Sequence, residues 1–121
     1  MAKVMLIEDD ATMLMLLGTL LDMEGFQVVK LANEQTPEEI VNTLRTEKPN
    51  VAMLDIHIRQ MSGFDVVRLI RQDAEMKSLR VLMASGLDQH NECLAAGADS
   101  FMLKPFMPDD LIKRIRALSN K

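Results

Sequence analysis

Four short apolar runs in this sequence end on residues able to do chemistry. Glu8-Asp9-Asp10 follows 4–7, Asp55 follows 51–54, Ser85 follows 81–84, and Lys104 with Pro105 follows 101–103. Carboxylates, a hydroxyl and an ammonium would converge if those runs lay side by side. Acids within hydrogen-bonding range of one another are costly: at ~5 Å and an effective dielectric of ~20, each pair repels by about 3 kcal/mol. A hard divalent cation with oxygen ligands, Mg2+ above all, relieves that cost. Mg2+, an ammonium and a hydroxyl around one carboxylate are suited to neutralising the oxygens of a phosphoryl group moving onto that carboxylate.

The elements that must position these groups alternate along the whole chain. Short, continuously apolar runs are expected of strands buried on both faces, and they fall at 4–7, 26–32, 51–54, 81–84 and 101–103. Helical patterns lie between them at 12–24, 37–47, 64–72, 89–96 and 108–118. Gly25 and Gly97 suit the left-handed position that ends a helix, and Pro37 the first turn of one. In the last helix Leu111, Ile112, Ile115 and Leu118 share one face, with Lys113, Arg114 and Arg116 on the other. Five β-α units in succession imply an α/β fold, a doubly wound parallel sheet with helices on both faces. Ligands in such folds sit at the carboxyl ends of the strands, where the polar residues stand.

Composition narrows the function. With 121 residues, 48% of them hydrophobic, the chain is the size of one domain, taken here as 1–121, and needs neither disulfide nor structural metal. A single cysteine, Cys93, and no signal peptide at 1–7 lead to the expectation of a cytoplasmic protein with a reduced thiol. No membrane span is expected, since the most apolar stretch, 13–21, is broken by Gly18 and Thr19. Fourteen basic against eighteen acidic side chains, net charge -4, argue against direct nucleic-acid binding, as does the absence of Trp and Tyr for base stacking.

The constellation resembles the receiver domain of two-component response regulators, over the entire chain. Glu8-Asp9 is similar to that family's acidic pair, Asp55 to its phosphoacceptor, Ser85-Gly86 to its hydroxyl residue and small neighbour, Phe101 to its switch aromatic, and Lys104-Pro105-Phe106 to its lysine-proline signature. The resemblance implies a CheY-like, flavodoxin-like (βα)5 sheet with strand order 2-1-3-4-5. It implies Mg2+ held by Asp9, Asp55 and the backbone carbonyl of His57, with Glu8 on a metal-bound water and Asp10 left to cap the first helix. It implies a cis Lys104-Pro105 peptide, and a signalling protein rather than an ordinary enzyme, one that assists its own phosphorylation and dephosphorylation. Implied partners are a histidine kinase or phosphotransfer protein, a downstream target or linked effector domain, and a second copy on phosphorylation. Output would pass through the fourth helix, fifth strand and last helix as Ser85 moves to the phosphoryl group and Phe101 turns inward.

The sequence also departs from the family. Ile58 and Arg59 stand where Met-Pro is usual, so the loop lacks a proline's rigidity, and His57 occupies a position that affects the lifetime of the acyl phosphate. Each residue taken singly has a plainer explanation: a solvated strand end for Glu8 to Asp10, a turn for Ser85, core packing for Phe101, adaptable filler for the methionines, a surface place for His90. A second class is a cobalamin-binding domain of the same fold, with His57 as cobalt ligand. That reading finds Gln60 where it needs glycine and gives the acids at 8–10 no role. A haloacid-dehalogenase-like phosphatase would need a second acid where His57 stands, and the retained acids, serine and lysine argue against a receiver that is never phosphorylated.

Overall fold

A computed structural model describes residues 2–31 and 33–120. Met1, and Ala32 at the expected end of the second strand, lie outside the described residues. The elements are β1 (Lys3–Ile7), α1 (Ala11–Met23), β2 (Gln27–Leu31), α2 (Pro37–Glu47), β3 (Val51–Asp55), β4 (His57–Ile58), β5 (Met61–Ser62), α3 (Gly63–Gln72), a 3-10 turn (Ala74–Met76), β6 (Arg80–Ser85), α4 (His90–Ala96), β7 (Ser100–Leu103) and α5 (Pro108–Ser119). Five strands pair in parallel in the order β2-β1-β3-β6-β7, which is the expected 2-1-3-4-5 when the sheet's own strands are counted. The two strands not foreseen, β4 and β5, form a short antiparallel hairpin within the loop after β3.

The sheet is buried on both faces because its strands offer apolar side chains to both. Met5 and Ile7 pack with α2, α3 and α4, whereas Val4 and Leu6 pack with α1 and α5. Helix ends follow local chemistry. The Asp10 carboxylate accepts the N–H groups of Thr12 and Met13 at 3.0 and 3.1 Å and so starts α1, as expected. Thr36 caps α2 ahead of Pro37, and Gly97 ends α4 at a φ of 115°, where a side chain would be strained. Cys93 is buried on α4, and burial pushes its thiol up to about 11. Among the described residues no helix is long and apolar enough to cross a membrane.

Candidate functional site

The strand order sets the site. Asp55 ends the central strand β3, with Glu8 and Asp9 just past β1 on one side, Ser85 at the end of β6 on the other, and Lys104 just past β7. Lys104 reaches inward to place Nζ 2.7 Å from Asp55 Oδ1 and 3.3 Å from Glu8 Oε2. Its backbone N–H donates to the Ser85 carbonyl at 2.8 Å, and the Lys104-Pro105 peptide is cis, as the resemblance implied. Glu8 and Asp55 are each only 7% exposed. Glu8 is held by the Asp10 N–H, which donates to its Oε1 at 3.1 Å.

Charge in this pocket is unbalanced. Burial and the Glu8 carboxylate lift Asp55 from an ordinary 3.8 to about 8, although Lys104 pulls the other way. Burial also works against the Lys104 ammonium, yet Asp55 and Glu8 outweigh it and raise its pKa. Both directions follow from two buried acids facing one ammonium: negative charge is in excess, so Lys104 keeps its proton and Asp55 gives up its own less readily. A cation would remove the need for that proton. Glu8, Asp9 and Asp55 each offer a carboxylate oxygen, all within 4.8 Å of one another, and this hard-oxygen donor set fits Mg2+.

The other expected residues sit as follows. Ser85 is buried, but its hydroxyl is engaged by its own loop, accepting the Leu87 N–H at 3.1 Å and donating to Gln89 Oε1 at 3.4 Å. The structure therefore brings Ser85 to the pocket without turning its hydroxyl to Asp55. Phe101 is already inward, 6% exposed in the core, so the inward turn expected to follow Ser85 is complete while Ser85 still faces Gln89. A phenyl ring has no hydroxyl to keep in water, and burial alone favours this position. His57 is exposed on the hairpin opposite Ser62.

Two residues of the site were not foreseen. Gly63 opens α3 against the end of β3, where an added Cβ would collide with the Asp55 carbonyl oxygen. Its signal in the sequence was only a glycine between a loop and a helix. Arg59 adopts a left-handed φ of 54° and donates its backbone N–H to Asp9 Oδ2 at 2.7 Å. The loop that lacks a proline is thus tied by a hydrogen bond that a proline could not make.

Comparison with known proteins agrees with this geometry. The pattern of the response regulator receiver domain matches residues 4–116. The chain is 33% identical over 116 residues to the transcriptional regulator ycf27 of Guillardia theta, covering 96% of this chain and 44% of that protein. It is 27% identical over 115 residues to the DNA-binding response regulator MtrA of Mycolicibacterium paratuberculosis, covering 95% of this chain and 50% of that one. It spans half or less of the curated relatives it matches. Among solved structures, the signal receiver domain of a response regulator from Bermanella marisrubri superposes with a TM-score of 0.84 at 29% identity, covering 96% of both chains. The fold is shared with the receiver domain of the sensor histidine kinase PA1611 of Pseudomonas aeruginosa, with a TM-score of 0.85 at 19% identity and 99% and 98% coverage, described with a magnesium ion coordinated in its active site cleft.

Proposed function

This chain belongs to the response regulator receiver domain family of two-component systems, and from that premise we propose that residues 1–121 form one receiver that takes a phosphoryl group onto Asp55 from a histidine kinase or phosphotransfer protein. The observation that carries this reading is the contact of the Lys104 ammonium with Asp55 Oδ1 at 2.7 Å, beside a cluster of acids that calls for a cation. Asp9, Asp55 and the His57 backbone carbonyl would hold Mg2+, with Glu8 acting through water. The cation would supply positive charge that favours the ionised acids and screens the incoming phosphoryl oxygens. The magnesium of the similar PA1611 receiver supports that cofactor.

Within this reading an Asp55 carboxylate oxygen attacks phosphorus and the bond to the donor breaks. Asp55 must be unprotonated to do so, and its raised pKa makes ionisation dependent on the positive charge around it. Lys104 lies where an oxygen of the phosphoryl group on Asp55 can be met by an ammonium. Ser85 exchanges Gln89 for another phosphoryl oxygen. A charge-assisted hydrogen bond of that kind is worth about 1.5 to 3 kcal/mol, enough to shift a two-state equilibrium by roughly one to two orders of magnitude. The protein acts as a signalling device, turning over its own phosphate slowly and not serving as an ordinary enzyme.

Output passes through the face made by α4, β7 and α5; Leu94 of α4 and Leu103 of β7 are exposed, as are Leu87 ahead of α4 and Met107 just ahead of α5. It is read by a downstream protein, by a linked effector domain, or by a second copy. Chemical-shift mapping with beryllofluoride and Mg2+ tests the reading. The expected result is a set of shifts at Asp55, Ser85 and Lys104 that extends along β7 and α5, with the extension lost in Ser85→Ala. Shifts confined to the loops around Asp55 would place the output elsewhere.

A further inference from the structure

We infer that Arg59 is a positioning residue for the cation site: its left-handed backbone aims the N–H at Asp9 Oδ2 and fixes that carboxylate toward Glu8 and Asp55. The inference rests on the Mg2+ reading above. Asp9 is exposed and lies in a loop, so its carboxylate would otherwise turn freely; at 2.7 Å the Arg59 N–H engages one of its oxygens. Asp9 contributes a carboxylate oxygen within 4.8 Å of those of Glu8 and Asp55. A φ of 54° is uncommon for a residue with a side chain, and the surrounding contacts maintain it. Arg59 Nη1 donates to the Glu34 carbonyl at 2.6 Å, and Ile58 beside it is buried in the core. Thus the buried Ile58 anchors the loop, and the Arg59 N–H, a backbone group that every residue but proline supplies, holds the ligand. Hydrogen bonds of this kind to a ligating carboxylate are typically worth tenfold or more in metal affinity.

The test compares Arg59→Gly, which keeps the N–H and tolerates positive φ, with Arg59→Pro, which removes the N–H and cannot adopt it. Mg2+ affinity is read from calorimetric titration, and stability without Mg2+ is measured separately to exclude unfolded protein. The expected result is an Arg59→Gly affinity within threefold of wild type and an Arg59→Pro loss of about tenfold or more. A smaller loss in Arg59→Pro, or a loss beyond threefold in Arg59→Gly, overturns the inference while leaving the Mg2+ site in place. Wild-type protein that binds no Mg2+ overturns the site itself and the inference with it. Should Arg59→Pro fail to fold, hydrogen exchange of the Arg59 amide in Mg2+-bound wild type decides. Protection of about tenfold or more over an exposed amide supports the N–H bond, and less than that refutes it.

Discussion

The ring of Phe101 meets that of His90 edge to face, with centroids 6.0 Å apart and planes at 83°. His90 is exposed on the first turn of α4, and Phe101 is in the core below it, so the contact joins α4 to β7 from inside. The inward ring should contribute to stability in the unphosphorylated protein. Phe101→Ala is expected to cost about 3 to 5 kcal/mol, and His90→Ala about 0.5 to 1.5 kcal/mol, read from denaturant midpoints. A Phe101→Ala cost below about 1 kcal/mol would mean that the ring resides outside the core.

Crowded acids predict a response to metal. Millimolar Mg2+ should raise the thermal unfolding midpoint of the wild type, because ligand that binds only the folded state stabilises it. Asp9→Asn should abolish that rise while stabilising the metal-free protein by roughly 1 kcal/mol, since it removes one of the repelling charges. A wild-type midpoint unmoved by Mg2+ contradicts the cation site.

Asp55 also predicts how stability varies with pH. The folded protein keeps a proton on Asp55 up to about 8, whereas the unfolded chain loses it near 3.8. Between those values the folded state binds more protons, so metal-free stability should fall as pH rises from the lower value toward the upper. Asp55→Asn, which cannot titrate there, should flatten that slope. Urea unfolding at a series of pH values in a chelating buffer measures it, and equal slopes in the two proteins would remove Asp55 as its source.

Gly63 predicts a steric effect at the site. A Cβ there would collide with the Asp55 carbonyl oxygen and lie 3.1 Å from both Ile56 Cα and Met83 Cε. Backbone atoms cannot swing aside as a flexible side chain would. Gly63→Ala should therefore lose about 1 to 3 kcal/mol of stability and weaken Mg2+ binding by shifting Asp55. Unchanged stability and affinity would show that the loop relaxes freely.

Periodicity and the strand-ending acids made the sheet and the convergence of Glu8, Asp55, Ser85 and Lys104 legible, because a parallel sheet leaves little choice about where its carboxyl ends point. The hairpin at 57–62 was not legible, since two-residue strands leave no repeating pattern. Arg59 was noted for the proline it replaces, but a backbone φ and the direction of an N–H are not written in side-chain types. Nor was the orientation of Ser85, whose hydroxyl donates to Gln89, or the contact of Phe101 with His90, since the types of Gln89 and His90 alone suggest only a solvated helix start.

The central claim is that Asp55 receives the phosphoryl group, and intact mass after incubation with acetyl phosphate and Mg2+ tests it most directly. The account predicts the mass of one added phosphoryl group, lost on exposure to alkali as an acyl phosphate is, and no addition in Asp55→Asn. Wild-type protein that gains nothing under these conditions, or that carries an alkali-stable phosphate on Ser85, would contradict it.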